Sequence, residues 1–504
     1  MSEALARVPS LLAQHLLLAA AALALGIAIS LPLGLWSARR AGVARVALAA
    51  ASLVQTVPSL ALLALFYPVL LWLGQAVGAH VPALGFLPSL LALTLYSVLP
   101  ILRNTVAGLT GIDAAVIEAA DGVGMTARQR LWWVEAPLTL PVVMAGVRTA
   151  AVWTIGAATL STTVGQPSLG DLIFAGLQTQ NWALVLVGCA AAAGLALAAD
   201  ALLGLAERGL RERRRWLVWG SLLTVAIALL AALAPLAGGG ERRVVIGAKN
   251  FSEQFILARL IGHRLERAGY KVEYRDGLGS AVAFGALSSG DVDVYVDYAG
   301  TIWTGQMHRA DVPPRPEQVR AIGDWMARTH RGRLLGALGF ENAYAFAMRS
   351  GTGVRTLDDL VARAPGMALG ADLEFLDRAE WAAIRRAYPL RFRSATPYSP
   401  TFMYRALASG RADVITAFSS DGRIAADGLV VLGDPKRAIP GYDAVLLVSP
   451  RRAGDARFTG ALRGLVGRVP VEVMRRANYM VDRDANKETP DAAARWIERA
   501  TGVH

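Results

Sequence analysis

The sequence predicts an all-α polytopic membrane domain of about six transmembrane helices, followed by a two-lobed α/β domain. Residues 1–240 form a succession of long apolar runs without a single lysine, whereas charged residues are dense in residues 241–504. In this second part, short strand patterns alternate with amphipathic helical patterns. The change falls near Gly238–Gly240, so we place the boundary between a domain at 1–240 and a domain at 241–504 there.

Six apolar runs reach the length of about 20 residues that a helix needs to span a bilayer. They cover residues 11–36, 46–74, 82–102, 141–164, 183–205 and 216–237. The second run contains Pro58, which leaves open whether it is one span or a broken one. The first run is long enough to span and is followed by further spans, so we expect no cleavable signal.

The arginines predict how these spans are oriented. They cluster after the first, third and fifth runs, whereas segments 75–81 and 165–182 contain neither Lys nor Arg. Because loops on the cytoplasmic side of a membrane carry an excess of Lys and Arg, we expect the three arginine-rich loops on the cytoplasmic side. The N-terminus and the domain at 241–504 would then be extracytoplasmic.

The formal net charge of +12 raises the question of nucleic-acid binding. The arginines lie in short loops beside the apolar runs or are scattered through the second part, and no Lys/Arg stripe with interleaved aromatics occurs. We therefore expect contact with membrane lipid and none with nucleic acid. The single cysteine, Cys189, lies inside an apolar run, so we expect neither a disulfide framework nor a Cys-based metal site.

The part of the chain after Arg243 has the pattern of an α/β fold. A strand near 244–247 leads through a turn into an amphipathic helix that extends to about Arg267, and strands and helices continue to alternate. Alternation of this kind predicts mostly parallel sheets. About 260 residues is generous for one such unit and suits two lobes.

The loop between the third and fourth apolar runs carries a spaced motif. Its key residues are Glu118, Ala119, Ala120, Gly124 and Pro137. The alanines favour helix, the glycine allows a turn, and the proline is expected to end the segment before the next span. The spacing resembles the EAA loop of ABC-importer permeases, with Ala136 at a position where that family has leucine. The resemblance implies a short cytoplasmic coupling helix that docks into a groove of an ATPase subunit.

The chain itself contains no Gly-x4-Gly-Lys-Ser/Thr phosphate loop. We therefore expect a separate cytoplasmic ABC ATPase subunit, which would use the ATP and Mg²⁺, and no cofactor in this chain. One permease half requires a second, and the sequence has one EAA-like loop. We therefore expect a homodimer of this chain that works with two ATPases.

The second half carries several short motifs in a fixed order. They lie at residues 249–254, 277–279, 295–301, 341–344, 370–378, 418–424 and 440–444. In this order they resemble the periplasmic-type substrate-binding proteins for glycine betaine, choline and related osmoprotectants. The resemblance covers nearly the whole half and implies two lobes that close around a small cationic or zwitterionic ligand.

The resemblance also implies which residues bind the ligand. Four rings would surround its ammonium group: Tyr298, Tyr344, Phe418 and Tyr442. The family usually has tyrosine at the position of the phenylalanine. A carboxylate of the ligand would be held by three residues: Lys249, Thr301 and Arg378. Asn342 would add a polar contact. The chemistry fits, because a quaternary ammonium donates no hydrogen bond and binds aromatic faces through cation–π attraction.

Together the two resemblances imply a fused permease and substrate-binding subunit of an ABC importer for quaternary-ammonium osmoprotectants such as glycine betaine, choline or carnitine. Within the transporter class, an amino acid or another compatible solute is the alternative ligand. A membrane-anchored ligand sensor is a further alternative, and it predicts a cytoplasmic output domain, which we do not find after the sixth run. An extracytoplasmic enzyme would need a catalytic carboxylate pair or nucleophile, for which Glu374 and Asp377 are candidates by composition alone. We therefore expect no enzymatic activity in this chain.

Overall fold

The structure is a computed structural model that describes residues 2–78, 81–179, 181–233, 243–483 and 485–502. The chain divides into two compact units. The first comprises Met1–Phe174 and Ala183–Gly240, and the second comprises Ala175–Trp182 and Glu241–His504. The domain boundary expected at Gly238–Gly240 lies outside the described residues.

The first unit is built from α-helices. In chain order, the helices of this half of the chain are α1 (Ser2–Arg39), α2 (Ala41–Thr56), α3 (Ser59–Val77), α4 (Phe86–Thr110), α5 (Ala114–Gly122), α6 (Ala127–Arg130), α7 (Ala136–Ala158), α8 (Gly170–Gln178), α9 (Trp182–Arg211) and α10 (Arg215–Leu233). A π-helical turn, Leu131–Glu135, joins α6 to α7, and a 3-10 segment, Thr159–Val164, follows α7. The prediction of an all-α first half is confirmed.

Among the residues that the structure describes, five helical stretches are long and apolar enough to cross a membrane. They are Leu5–Arg39, Phe86–Thr110, Ala127–Val164, Trp182–Arg211 and Arg215–Leu233. The predicted run at 46–74 is broken, because α2 and α3 meet at an angle of 101°. Pro58 lies at this break. The residue before a proline disfavours the helical conformation, so α2 ends at Thr56 and does not continue through Val57. If the bent pair forms one span, the count reaches the six that the sequence predicts.

Helices α1 and α4 approach each other closely in the first unit. Gly26 of α1 lies so near α4 that an added Cβ would come within 1.8 Å of Ser97 Oγ. Gly34, two turns further along α1, meets Thr105 in the same way, with 2.5 Å from the added Cβ to Cγ2. Small residues at such contacts are typical of helices that pack inside a membrane.

The second unit alternates strands and helices. Its strands are β1 (Arg243–Lys249), β2 (Lys271–Leu278), β3 (Val294–Tyr298), β4 (Arg333–Glu341), β5 (Tyr344–Met348), β6 (Ala368–Asp372), β7 (Ser394–Tyr398), β8 (Val414–Phe418), β9 (Val430–Val431) and β10 (Asp443–Val448). Its further helices are α11 (Ser252–Arg267), α12 (Ser280–Ser289), α13 (Ala299–Thr301), α14 (Arg315–His330), α15 (Leu357–Arg363), α16 (Ala379–Ala387), α17 (Pro400–Ala408), α18 (Arg423–Ala426), α19 (Ala456–Arg463), α20 (Val471–Asp482) and α21 (Pro490–Thr501).

The strands form two five-stranded sheets, ordered β2-β1-β3-β10-β4 and β7-β6-β8-β5-β9. We call the part built on the first sheet lobe 1 and the part built on the second sheet lobe 2. In lobe 1, β1 is parallel to β2 and β3, while β10 is antiparallel to β3 and β4. In lobe 2, β6 is parallel to β7 and β8, while β5 is antiparallel to β8 and β9. The two-lobed α/β prediction is confirmed, whereas the prediction of mostly parallel sheets is wrong.

Two crossing segments connect the lobes and explain the mixed sheets. The first, residues 342–343, joins β4 to β5, and the second, residues 432–442, returns the chain to β10. The strand that follows each crossing enters its new sheet antiparallel to its neighbours, without the helical crossover that a parallel pair requires. Buried residues of both lobes belong to one hydrophobic cluster, to which Tyr298, Tyr344 and Tyr442 contribute. These rings lie where the lobes face each other.

Candidate ligand-binding cavity and coupling loop

A cavity of about 80 Å³ lies between the two lobes of the second unit. It forms where β1, β3, β6 and β8 end. The carboxyl ends of parallel strands are the usual place for a ligand site in an α/β fold. The cavity brings together all eight residues predicted to bind the ligand: Lys249, Tyr298, Thr301, Asn342, Tyr344, Arg378, Phe418 and Tyr442.

Five aromatic rings line this cavity, and we call them the aromatic cage: Phe251, Tyr298, Tyr344, Phe418 and Tyr442. Phe251 is parallel to Phe418 within 2°, at 6.4 Å between the ring centroids. Tyr344 stands nearly perpendicular to Tyr442, at 5.7 Å between the centroids. Phe251 is an addition to the predicted set. It lies in the turn directly after β1, and this position at the end of a parallel strand is the signal that could have indicated it.

Contacts across the cage hold the lobes in a closed arrangement. Glu380 of lobe 2 accepts hydrogen bonds from the Tyr442 hydroxyl and from Thr304 Oγ1, the latter at 2.8 Å. Tyr298, Tyr344 and Tyr442 are at most 7% exposed. The cage is therefore almost sealed from solvent, and removal of water strengthens cation–π attraction.

Each cage tyrosine donates its hydroxyl to a carboxylate. The pairs are Tyr298 with Glu253, Tyr344 with Asp372, and Tyr442 with Glu380. The oxygen–oxygen distance is 2.6 Å in the first pair and 3.3 Å in the second. Burial raises the pKa of all three tyrosines well above the usual value, so their hydroxyls remain protonated donors.

The two basic residues of the cavity already have acidic partners. The Lys249 ammonium group pairs with Asp297, and both side chains are at most 3% exposed. Arg378 donates through Nη2 to Glu374 Oε2 at 2.6 Å, and its Nε has no hydrogen-bond partner among the described residues. The Glu374 side chain is 51% exposed and can give way to a ligand. Arg378 is therefore the better placed of the two to receive a carboxylate.

Thr301 and Asn342 complete the predicted set. Thr301 lies in the helical turn that follows β3 directly, and Asn342 lies in the first crossing segment. Asn342 donates through Nδ2 to Glu253 Oε1 at 3.0 Å, and within the described part of the chain its Oδ1 has no partner. This oxygen is available as an acceptor at the cavity wall. The ligand-binding role of the eight residues stays a prediction.

Four carboxylates at or behind the cavity wall are not in the predicted set: Glu253, Asp372, Glu374 and Glu380. Asp372 ends β6 and Glu374 follows it, so their position after a parallel strand could have indicated both. Glu253 and Glu380 lie inside α11 and α16. No local pattern distinguishes them from the surface carboxylates of a helix.

A second cavity, of about 50 Å³, shares Phe251, Asn342 and Phe418 with the first and is lined by three acids, Glu253, Asp421 and Asp482. Ser252 donates to Asp482 Oδ1 at 2.5 Å. Burial, reinforced by the like charge of Asp421, raises the pKa of Asp482 to about 7. The protonation of Asp482 therefore changes near neutral pH.

The predicted coupling loop at 118–137 lies in the first unit. Helix α5 contains Glu118, Ala119 and Ala120, of which the last is buried. Gly124 follows with φ of +78°, a left-handed conformation that glycine adopts without strain. The expectation that Pro137 ends the segment is wrong, because it is the second residue of α7, which continues from the π-helical turn. Proline lacks the backbone donor that a continuous helix uses at this position, and the irregular π-helical turn lies directly before α7.

Arg130 connects the two ends of this loop. Its Nη1 donates to Asp121, at 2.7 Å from each carboxylate oxygen. Its Nε donates to Glu135 Oε1 at 2.9 Å. Glu135 is buried, so one of the two contacts is shielded from water. Arg130 therefore ties α5 to the long helical stretch Ala127–Val164.

Both units match known families. The family described as the substrate-binding domain of ABC-type glycine betaine transport systems matches residues 242–499. The family described as the inner membrane component of binding-protein-dependent transport systems matches residues 30–212. The two matches follow one another along the chain and together account for most of it.

Similar proteins come from several bacteria. An ergothioneine transport permease/ergothioneine binding protein of Helicobacter pylori (strain G27) is 28% identical over 470 residues, which cover 88% of this chain and 81% of that protein. A glycine betaine/carnitine/choline transport system permease protein of Bacillus subtilis (strain 168) is 38% identical over 195 residues, covering 39% of this chain and 84% of the permease. A solved structure of a glycine betaine/carnitine/choline ABC transporter is 25% identical, with a TM-score of 0.46, and covers 52% of this chain and 99% of its own.

Proposed function

Because this chain belongs to the family of substrate-binding domains of ABC-type glycine betaine transport systems, we propose that its cavity binds a compound with a trimethylammonium group. The chain is a fused permease and substrate-binding subunit of an osmoprotectant-type ABC importer. Its permease part makes it a multi-pass protein of the inner membrane. An importer of this type works with a partner ATPase and takes up a small molecule.

The aromatic cage is the observation that carries the ligand proposal. A trimethylammonium group cannot donate a hydrogen bond, and its charge is spread over the methyl groups, so aromatic faces suit it better than a single polar partner. Each ring contributes about 0.5–2 kcal/mol, so several rings are needed for useful affinity. The cavity offers five rings in a nearly sealed space.

Arg378 and Thr301 support a ligand with a carboxylate at its other end. A guanidinium group pairs with a carboxylate through two parallel hydrogen bonds, and the Nε of Arg378 is unpaired among the described residues. Glycine betaine and carnitine possess a carboxylate, whereas choline has a hydroxyl. We therefore expect betaines to bind more tightly than choline.

Ergothioneine is the second candidate ligand. The relative that resembles this chain across 470 residues is named for it. This compound is itself a betaine, with a trimethylammonium group and a carboxylate attached to a thiolated imidazole side chain. The same cage and the same arginine would serve it, so direct competition with glycine betaine decides between the two.

The transport cycle that we propose has the second unit outside the membrane, where its lobes close on the ligand. A partner ATPase would bind ATP and Mg²⁺ in the cytoplasm and act on the permease through α5 and the loop that follows it. Two copies of this chain would form the pathway. Fusion of binding unit and permease raises the effective concentration of the loaded binding unit at the pathway entrance.

Calorimetric titration of a fragment comprising residues 243–504 tests the ligand proposal. Glycine betaine, choline, carnitine, proline betaine, ergothioneine and arginine are compared. We expect at least one trimethylammonium compound to bind and Tyr442→Ala to abolish that binding. Tyr479→Ala is the matched control, because this tyrosine is 39% exposed and does not line the cavity. Binding of arginine, with none of the trimethylammonium compounds bound, would refute the proposal.

A further inference from the structure

Carboxylates lie directly behind the tyrosines of the aromatic cage. We propose that three buried carboxylates, those of Glu253, Asp372 and Glu380, make the surroundings of the aromatic cage negative and thereby discriminate a trimethylammonium group from an uncharged group of the same shape. The inference rests on the proposed function, because it concerns the same cavity.

The three carboxylates share one relationship to the cage: each accepts the hydroxyl of a different cage tyrosine. They belong to separate elements in both lobes, since Glu253 lies in α11, Asp372 ends β6 and Glu380 lies in α16. The two remaining cage rings, Phe251 and Phe418, have no hydroxyl. A carboxylate therefore stands at the far end of every cage ring that can donate a hydrogen bond.

Glu253 and Asp372 are buried and form no ion pair with a described residue. Glu253 is 3% exposed and accepts hydrogen bonds from neutral groups, including Asn342 and Asn478. Asp372 is 8% exposed and accepts from Tyr344 and from a backbone amide. Neither forms an ion pair within 4.0 Å in the described ranges of the chain. Burying a carboxylate in this way is costly, and a positive charge nearby offsets the cost.

Glu380 is buried as well, with 1% of the residue exposed. Its Oε2 has no hydrogen-bond partner among the residues that the structure describes. The Nη1 of Arg378 is 3.8 Å from its Oε1, but Arg378 binds Glu374 more closely, at 2.6 Å. A cation inside the cage would compensate this carboxylate as well.

When the carboxylates are ionised, the charges around the cavity therefore sum to a negative value. Lys249 pairs with Asp297, and Arg378 pairs with Glu374, so these charges cancel in pairs. The carboxylates of the three residues named in the proposal remain. A trimethylammonium group supplies a positive charge that compensates these carboxylates. A tert-butyl group fills the same space and leaves the carboxylates uncompensated.

Two physical effects carry the discrimination. The carboxylates attract a cation directly, and this attraction is stronger in a site without water than in bulk solvent. They also polarise the tyrosines, because a hydroxyl that donates to an anion makes its ring a better partner for a cation. Burial raises the pKa of Glu253 and of Asp372, and a cation bound nearby opposes this shift by favouring the ionised form.

The test compares pairs of ligands with the same shape on the full-length chain in lipid nanodiscs. Choline is compared with 3,3-dimethylbutan-1-ol, and glycine betaine with 3,3-dimethylbutanoate, so that in each pair a tert-butyl group replaces the trimethylammonium group. The variants are Glu253→Gln, Asp372→Asn and Glu380→Gln, whose amide oxygen still accepts the tyrosine hydroxyl. Asp377→Asn, which removes an exposed carboxylate outside the cavity, is the matched control.

For the wild-type chain we expect the trimethylammonium member of a pair to bind at least about 100-fold more tightly than the tert-butyl member. Each amide variant should weaken binding of the cation about tenfold and binding of the tert-butyl compound less than about threefold. Asp377→Asn should change neither. Retained binding of the tert-butyl compound and a wild-type thermal unfolding midpoint identify the variants that are folded.

The outcomes separate this inference from the proposed function. If choline or glycine betaine bound but the wild-type chain did not discriminate it from its tert-butyl partner, the inference would fail and the proposed function would stand. An equal loss of affinity for both members of a pair in the folded variants would indicate a structural role of the carboxylates. In that case too the inference would fail and the proposed function would stand. If the wild-type chain bound neither choline nor glycine betaine, nor any other trimethylammonium compound of the calorimetric titration, both would fail.

Discussion

Phe251 of lobe 1 and Phe418 of lobe 2 lie parallel across the cavity, with ring planes 2° apart and centroids 6.4 Å apart. Because each ring belongs to a different lobe, their separation changes when the lobes open. The same holds for the contacts of Glu380 in lobe 2 with Thr304 and Tyr442. The cage is therefore complete only when the lobes are closed, and we expect ligand binding to be coupled to lobe closure.

Replacement of Phe418 tests the contribution of a single ring. Phe418→Leu keeps an apolar side chain of similar bulk and removes the aromatic face. We expect the affinity for glycine betaine or choline to fall about 3- to 30-fold, as the loss of one cation–π contact predicts. Calorimetry measures the change. Phe402→Leu, which replaces an exposed ring of α17 outside the cavity, is the control and should bind as the wild type does.

Gly300 tests the position of the Tyr442 ring. A Cβ at Gly300 would come within 2.4 Å of Tyr442 Cε2, so Gly300→Ala must displace this ring. We expect a loss of ligand affinity of about 5- to 100-fold, in line with the cost of overpacking a buried contact. Gly305→Ala is the control, because its added Cβ would meet no heavy atom within 4 Å. Equal affinities of the two alanine variants would contradict this arrangement.

Arg130 tests whether the ends of the coupling loop must be held together. Arg130→Ala removes the contacts to Asp121 and Glu135. We expect ligand binding to be unchanged, because the binding unit is untouched, and ATP-driven uptake into proteoliposomes to fall about 3- to 30-fold. Arg128→Ala, in the same short helix and exposed, should leave uptake unchanged. Normal uptake by the Arg130 variant would show that the loop needs no such link.

The raised pKa of Asp482 predicts that the stability of the second unit depends on pH. Its pKa is about 7 in the folded chain and 3.8 in the absence of the fold. Between these values the folded state holds more protons than the unfolded state, so the contribution of Asp482 to stability falls as pH rises from about 4 to about 7. This fall amounts to at most about 4 kcal/mol.

Asp482→Asn should remove that fall, because asparagine does not ionise. Urea unfolding of the 243–504 fragment between pH 4 and 8 measures the difference in free energy of unfolding between variant and wild type. We expect the variant to gain relative stability as pH rises and the gain to level off above pH 7. A difference that does not vary with pH would show that Asp482 titrates normally. Asp377→Asn, at an exposed position, should show no such gain.

Periodicity and motifs predicted the larger features well, for identifiable reasons. Apolar runs reveal spans because a helix in lipid must be apolar along its length. Strands that alternate with helices indicate the α/β unit, and the position of Tyr298 and Thr301 at the end of a strand is typical of a ligand site in such a fold. Phe418 is placed in the site by the family resemblance alone. Local patterns do not contain strand direction, so the alternation predicts mostly parallel sheets, whereas β5 and β10 are antiparallel to their neighbours.

Hydropathy and composition are enough to predict the two-part architecture, and the motifs that resemble known families indicate the eight cavity residues and the predicted coupling loop. The tertiary structure alone decided how those residues are partnered. Lys249 is 48 positions from Asp297, Tyr298 is 45 positions from Glu253, and Tyr442 is 62 positions from Glu380. A helix or strand pattern reports on neighbours a few positions apart, whereas these charges and hydrogen bonds are brought together by the packing of separate elements. The fold therefore decides which partners the cavity residues have, whereas the motifs of the sequence indicate which residues line the cavity.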